Sequence, residues 1–223
     1  MPKQPREGRV VLASDSPRRR EIVAALDIHV ETASPGGDEA PRRKGETPGD
    51  LVLRLSFDKA RRVAARIDRA VVLGADTVVV LDGEVLGKPD NDEQAARMLG
   101  RLRGRAHTVT TGVTVLDART GRRVSAVTST CVTMRHYSDG ETAVYVASGE
   151  PLDKAGAYAV QDPGFHPARS VEGCYLNVVG LPLCETVSLL RDLEVQARLR
   201  PDWQPPDQCR SCPLDERQEA LRA

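Results

Sequence analysis

The chain has 223 residues, and its 32 basic side chains are balanced by 32 acidic ones. Hydrophobic residues make up 40% of it, which is enough for one large domain or two small lobes and argues against disorder along the whole chain. The balanced charge disfavours nucleic acid and membrane surfaces as partners, while the polar start and the lack of a long apolar run disfavour secreted and membrane-spanning proteins, so we expect a cytoplasmic protein.

The first half of the chain alternates between strand and helix patterns. Ser16 suits the cap of a helix and Pro17 its first position, directly after a short apolar run. Proline, glycine and charged residues then predict a long loop. In order, this half predicts a strand, a helix, the loop, a helix and two short strands, at residues 10–13, 17–26, 34–49, 50–67, 71–73 and 78–81.

The second half continues in the same way. Asp82-Gly83 predicts a hairpin turn, and Ser138 with Glu141 has the spacing of a capping box. The predicted helices cover residues 92–102, 139–149 and 183–193, and the strands cover 85–86, 109–116, 124–134 and 178–179. Because strands and helices mix throughout, the fold class is α/β.

The five cysteines are an odd number, which is typical of reduced cytoplasmic thiols rather than a disulfide framework. Cys209 and Cys212 have the spacing of half a zinc site, but no second Cys or His pair lies nearby. A thiol-bearing tail is the alternative, because the chain beyond residue 198 is rich in proline and predicts poor order.

The turn at residues 14–20 is a candidate anion site. Backbone N–H groups at a helix N-terminus favour an anion, whereas the helix dipole disfavours Arg18, Arg19 and Arg20 in the first turn. Three cations at this end of a helix indicate that a polyanion such as a triphosphate binds there. A solvated basic turn is the alternative.

Asp76 is a second candidate, because a carboxylate between two apolar runs must be paired, protonated or bound to a metal. It could serve as a metal ligand, as a general base or only as a turn cap. Lys59 and Lys88 could place point charges on phosphate oxygens, although single lysines usually face solvent. Gln161 offers a donor and an acceptor to a base edge, and Glu39 could reach a divalent cation.

Several motifs together resemble the Maf family of nucleotide pyrophosphatases. The resemblance covers about residues 10–193 and rests on Leu12-Ala13-Ser14-Asp15-Ser16-Pro17-Arg18-Arg19, Leu73-Gly74-Ala75-Asp76-Thr77, Gly87-Lys88-Pro89 and Gly149-Glu150-Pro151-Leu152-Asp153-Lys154-Ala155-Gly156. It divides the chain into an N-terminal extension, a pyrophosphatase domain and a Pro-rich tail, at residues 1–9, 10–197 and 198–223.

The resemblance implies a two-lobed α/β fold, with a mixed sheet and flanking helices around a deep central cleft, often in a homodimer. The implied reaction hydrolyses a nucleoside triphosphate to the monophosphate and diphosphate with a divalent cation, Mg²⁺ or Mn²⁺, in the house-cleaning of nucleotide pools. Asp76 matches the catalytic acceptor, and Glu39 falls where the family places a carboxylate near the metal. The predicted substrate-binding residues are Ser14, Arg18, Arg19, Lys59, Thr77, Lys88 and Gln161.

The branch of the family follows from Ala157-Tyr158, with Gln161 three residues later, which resembles enzymes acting on dTTP and UTP. A 7-methyl-GTP pyrophosphatase is the alternative within the family, and a non-catalytic nucleotide-binding regulator of cell division is the alternative outside enzymes. Pro167 departs from the family pattern, and because proline cannot donate to a strand ladder, one edge of the cleft is expected to differ.

Overall fold

The structure is a computed structural model that describes residues 9–211. Its centre is a seven-stranded mixed sheet in the order β2-β1-β3-β5-β6-β7, with β4 beside the second half of β3. The strands are β1 (Arg9–Ala13), β2 (Val30–Ala33), β3 (Ala70–Leu81), β4 (Glu84–Leu86), β5 (Ala106–Asp117), β6 (Arg123–Met134) and β7 (Ala168–Glu172). The predicted α/β class is confirmed.

Helices cover the sheet, and the first four begin at residues whose side chains cap them. Ser16 caps the first helix through its side chain, and Ser138 and Glu141 form the predicted capping box. The helices are α1 (Pro17–Val23), α2 (Pro48–Ala64), α3 (Asp92–Leu102), α4 (Asp139–Ala147), α5 (Tyr175–Val179) and α6 (Leu183–Asp192). Short 3₁₀ turns lie at Glu150–Asp153, Ala155–Ala157 and Asp207–Ser211. No helix within residues 9–211 has the length and hydrophobicity that a bilayer crossing needs.

β3 differs from the prediction of two short strands. All of residues 70–81 form one strand, and its partner β5 pairs continuously from Val71–Asp117 to Val80–Thr108. Gly74 and Asp76 interrupt the apolar pattern in the way a turn does, but both lie against the helix that contains Ser56 and Lys59. The prediction of two short strands is therefore wrong.

An opening in the sheet sets the position of the cleft. β1 runs parallel to β3 and ends where Ala13 pairs with Gly74, while β4 begins to pair with β3 only at Val79. Asp76 and Thr77 lie in the gap between these two neighbours, so this edge of β3 is open to ligands there. A crevice beyond the carboxyl end of a parallel strand is a common binding position in α/β folds.

Two glycines bring α2 against the sheet. A Cβ atom on Gly74 would lie 2.2 Å from the Ser56 backbone oxygen, and one on Gly112 would lie 2.5 Å from the Val52 backbone oxygen. Only glycine permits such an approach of helix backbone to strand backbone. Because α2 carries Lys59, this close contact lets a side chain of the helix reach the carboxylate of Asp76.

Two hydrophobic clusters flank the gap along one face of β3. The first cluster includes Leu73, Leu183 and Leu190, and the second includes Leu81, Leu99 and Met134. Thr77 lies on the same face, between the residues that β3 gives to each cluster. Residues 199 and 209 also belong to the first cluster, so the segment predicted as a poorly ordered tail packs on the core as far as Cys209.

Other elements also differ from the sequence prediction. Val178 and Val179 lie at the end of helix α5 instead of forming a strand. Gly180 follows them, and its positive φ of 133° ends the helix. β2 and β7 were not predicted. β7 begins directly after Pro167, so the proline, which has no N–H to donate, precedes the ladder.

Candidate active site

One cleft of 790 Å³ lies over the gap in the sheet and gathers every predicted site residue. Its walls include Ser14, Arg18, Arg19, Glu39, Lys59, Asp76, Thr77, Lys88 and Gln161. These residues come from the turn after β1, from α1, from the loop before α2, from α2 itself, from β3, and from the segments after β4 and α4. The sequence prediction of their position in one site agrees with this placement; their roles stay predictions.

The turn between β1 and α1 carries the predicted anion site. The Ser14 hydroxyl accepts a hydrogen bond from the Ser16 backbone N–H at 3.2 Å, which shapes the turn. Arg19 lies across the floor, where its Nε donates to the Gly180 carbonyl at 2.9 Å and its Nη2 donates to Thr77 Oγ1 at 3.1 Å. Arg18 reaches across the cleft to Asp153, at 3.1 Å. Both guanidinium groups are thus directed by contacts beyond their own helix.

Lys59 lies between two carboxylates at the centre of the cleft. Its Nζ is 2.6 Å from Asp76 Oδ1 and 2.7 Å from Glu39 Oε1. Asp76 is buried, with 4% of its surface exposed, whereas half of the Glu39 side chain is exposed. Asp76 is therefore a paired carboxylate within a strand and does not cap a turn.

The two carboxylates respond differently to this shared partner. Burial raises the pKa of Asp76 above its usual range, and the attraction of Lys59 only partly offsets that rise. Burial also acts to raise the pKa of Glu39, but attraction to Lys59, their hydrogen bond and the charges of Lys88 and Arg19 outweigh it, so the net change is a lowered pKa. The more buried carboxylate is the better proton acceptor.

Arginines of α2 and of the turn directly after it hold the loop that presents Glu39. Arg62 donates to the carbonyls of Gly36 and Asp38 at 2.7 and 3.0 Å, and Arg66 donates to that of Ser34 at 2.6 Å. Arg54 donates to the Pro41 carbonyl at 3.0 Å and to both carboxylate oxygens of Glu46 at 2.6 and 2.8 Å. Hydrogen bonding from Arg54 lowers the pKa of Glu46 to about 2, so this anchor persists in mild acid.

The sequence analysis missed this set of arginines. Its signal is the spacing of 54, 62 and 66, which places the three side chains on one side of a helix that follows a Pro- and Gly-rich loop. Asp153 belongs to one of the family motifs, but it was not assigned a role of its own. It accepts from Lys154 at 2.6 Å as well as from Arg18, and so connects the 3₁₀ turn to the anion site.

The far wall of the cleft is less charged. It is formed by Ala155, Tyr158, Ala159 and Gln161, and Val179 also lines the cleft. The Tyr158 hydroxyl lies 2.7 Å from His107 Nε2, and both side chains are buried. This hydrogen bond fixes the position of the tyrosine ring.

His107 gives the fold a dependence on pH. Burial lowers its pKa to about 4, below the usual value of 6.5, so the unfolded state binds more protons between these pH values. The free energy of unfolding should therefore fall as the pH drops from 6.5 to 4, by about 3 kcal/mol in total. In His107→Gln this slope should flatten, in urea titrations at several pH values. Substitution of the exposed His29 by Gln is the control. An equal flattening of the slope in that variant would contradict the assignment of the pH dependence to His107.

The charged residues of the cleft suit a divalent metal. Asp76 and Glu39 offer two carboxylates, and Mg²⁺ is commonly bound by one or two carboxylates together with substrate phosphates. Within residues 9–211 no three His, Cys, Asp or Glu side chains gather as a metal cage. The residues present fit a metal that the nucleotide helps to hold. Cys209 is buried in the first cluster, but Cys212 lies outside the described residues, so the predicted alternative of a zinc site is not tested.

Comparison with known proteins agrees with this geometry. The profile of the family described as Maf-like protein matches residues 9–193. The chain belongs to the Maf family. The matched region contains all of the cleft residues named above, and the family resemblance predicted from the sequence is confirmed.

Members of the Maf family with assigned names share much of the sequence. A protein of Moorella thermoacetica is 49% identical over 82% of this chain and 93% of its own length. One of Pelotomaculum thermopropionicum is 47% identical over 82% of this chain and 95% of its own length. One of Dehalococcoides mccartyi is 39% identical over 91% of this chain and 90% of its own length. Each of the three carries the name dTTP/UTP pyrophosphatase.

Proposed function

We propose that the protein is a nucleoside triphosphate pyrophosphatase that hydrolyses dTTP and UTP to the monophosphate and diphosphate. The observation that supports this most is the group at the centre of the cleft, where a buried Asp76 and Glu39 share Lys59 beside the arginines of α1. The names of the Maf relatives agree with the proposal.

The polyphosphate would lie along the basic side of the cleft. Arg18, Arg19 and Lys88 surround it with three positive charges, and the start of α1 adds the backbone of the turn. Charge-assisted hydrogen bonds of this kind are short and strong, and guanidinium groups match the geometry of phosphate oxygens. Binding here would place the bond between the α- and β-phosphates near the open edge of β3.

Asp76 is proposed as the general base. Its raised pKa makes it a better proton acceptor than an exposed aspartate, while the attraction of Lys59 favours the ionised form that a base needs. A water molecule would give its proton to the Asp76 carboxylate as its oxygen bonds to the α-phosphorus. The bond from that phosphorus to the bridging oxygen would break, and diphosphate would leave with the electron pair.

A divalent cation, Mg²⁺ or Mn²⁺, is proposed as the cofactor, with Asp76 and Glu39 as the residues that would hold it. When bound, it would neutralise charge on the phosphates. The arginines of α2 contribute to this indirectly, because they fix the loop that carries Glu39.

Base selection is proposed to lie at the far wall. The Gln161 amide carries both a donor and an acceptor, which a pyrimidine edge can match, while Tyr158 is fixed by His107. Thr77 and Arg18 would contribute on the opposite side, as the family pattern implies. A larger purine would need a different shape of this wall.

The test is diphosphate release from dTTP, UTP, dCTP, dATP and 7-methyl-GTP, each with Mg²⁺, Mn²⁺ or EDTA. We expect dTTP and UTP to be cleaved fastest, and no cleavage in EDTA. Cleavage of 7-methyl-GTP faster than that of dTTP and UTP would instead show a 7-methyl-GTP pyrophosphatase. Nucleotide binding with no diphosphate from any substrate and metal would instead support a non-catalytic regulator of division.

We also propose a cytoplasmic location, where the nucleotide pool is, and a homodimer, as the resemblance implies. Sedimentation equilibrium at several protein concentrations tests the second point. A mass near 24.2 kDa throughout would show a monomer.

A further inference from the structure

The ammonium group of Lys59 occupies the space between the two carboxylates that a metal would use. Its Nζ is 2.6 Å from Asp76 and 2.7 Å from Glu39, both normal distances for charged hydrogen bonds. An ammonium group has three donors, and these two contacts use two of them. Lys59 was predicted to handle phosphate, but its contacts in the structure are mainly to the carboxylates.

The surroundings add to the positive charge. Seven basic side chains line the cleft against five acidic ones, an excess of two positive charges when all are ionised. Three of the acidic side chains already form ion pairs with basic residues of the cleft. Asp153 contacts Arg18 and Lys154, just as Asp76 and Glu39 contact Lys59. A divalent cation entering alone would therefore meet net repulsion and would compete with an internal cation for its ligands.

A nucleoside triphosphate reverses this balance. It brings about four negative charges near neutral pH into a cleft with an excess of two positive ones, and its oxygens are themselves good ligands for Mg²⁺. The same phosphates also offer new acceptors to Lys59, because its contacts with Asp76 and Glu39 use only two of its three N–H donors. The carboxylates then become available to a metal.

We propose that Lys59 is a built-in counter-cation that keeps divalent metal from the cleft until the nucleotide arrives, so that metal and nucleotide bind together. The proposal rests on the proposed function, because it uses the same two carboxylates. It predicts weak binding of metal alone and strong mutual enhancement of metal and nucleotide binding, which must be reciprocal.

The wild-type protein gives the first test. Electron paramagnetic resonance of free Mn²⁺ should show little binding to the protein alone at metal concentrations below about 1 mM, the upper part of the usual range for weak sites. Calorimetry with the uncleavable analogue α,β-imido-dUTP should show at least about tenfold tighter binding with Mn²⁺ than without it, about 1.4 kcal/mol of coupling. If Mn²⁺ alone binds as tightly as it does with the analogue, the proposal is overturned.

Lys59→Met gives the second test. It removes the ammonium group but keeps much of the volume, and it should bind Mn²⁺ alone at least about tenfold more tightly than wild type. Adding Asp76→Asn to this variant should abolish the gain, because one of the two ligands is then lost. Lys59→Arg keeps a positive charge and should bind Mn²⁺ alone as weakly as wild type does.

Two other lysines are matched controls. Lys88→Met removes a charge from the same cleft but not from between the carboxylates, and Lys44→Met removes one from the exposed loop. Neither should tighten Mn²⁺ binding as much as Lys59→Met. Equal affinities in wild type and a folded Lys59→Met, checked by circular dichroism, would refute the role of Lys59.

The outcomes separate this proposal from the proposed function. Absence of diphosphate release in every assay would contradict the enzymatic function, yet the Mn²⁺ titrations would still show whether Lys59 excludes the metal. Conversely, if the wild-type enzyme releases diphosphate but binds Mn²⁺ tightly without nucleotide, the proposed function stands and the role of Lys59 as counter-cation is rejected.

Discussion

Asp76→Asn is expected to lower turnover by about 10²-fold or more, which is the size of effect typical of a lost general base. The asparagine keeps the shape of the side chain but cannot accept the proton of the attacking water or hold a metal as a carboxylate does. The backbone of β3 should be unchanged, because residue 76 pairs with Gly112 through main-chain atoms in the strand.

The free energy of unfolding should hold or rise in the same variant. The folded state raises the pKa of Asp76, so it favours the protonated form, and the ionised form is less stable there than in the unfolded chain. This carboxylate therefore costs stability increasingly as the pH rises through its folded pKa. Lys59 retains Glu39 as a partner after the change.

Asp117→Asn is the matched control for Asp76→Asn. Asp117 is also buried, but it is a structural aspartate whose Oδ1 accepts from the backbone N–H groups of Arg119 and Thr120 at 2.9 and 3.2 Å. Its substitution should lower the melting temperature and leave activity per folded molecule unchanged. If Asp76→Asn behaved in that way, Asp76 would be structural and the proposed base would be wrong.

Arg19→Ala is expected to reduce kcat/KM by the equivalent of about 2–5 kcal/mol, the usual cost of losing one partner of a desolvated charged contact. Release of diphosphate measured at low salt gives the value. Sequence reasoning predicts that the fold is unaffected, but Arg19 joins α1 to Gly180 and Thr77, so some loss of thermal stability is also expected. Kinetics must therefore be normalised to the folded fraction.

Arg20→Ala is the control for Arg19. Arg20 belongs to the same turn of α1, but it is exposed and does not line the cleft. Its removal should change kcat/KM little. Added salt should weaken the dTTP affinity of wild type and of Arg20→Ala to a similar extent. Wild-type kinetics in Arg19→Ala at low salt would show that the basic turn is only a solvated surface.

The sequence predicted which residues line the cleft better than it predicted the shape of the cleft. Ser14, Arg19 and Asp76 could be identified because each belongs to a short motif whose local chemistry is unusual, such as cations at the start of a helix. What the sequence could not show is that β1 stops opposite Gly74, since strand register depends on contacts between distant parts of the chain. The cleft depends on that register.

Other differences have local causes. Gly74 interrupts an apolar run, which is typical of a turn, yet its lack of a side chain serves the approach of α2. Val178 and Val179 favour a strand by propensity, but tertiary packing places them in a helix. The arginines in and directly after α2 were not recognised, because a charged helix face usually faces solvent and only the folded loop provides carbonyls for it.

The packing of the C-terminal segment affects how the protein can be shortened. The family match ends at residue 193, but Val195, Ala197, Leu199 and Cys209 are buried with the residues of α6. A chain cut at the family boundary would lose these side chains and leave apolar surface of Leu26 and its neighbours facing water, where it promotes aggregation. The unit that can be expressed on its own is therefore longer than the unit that homology defines.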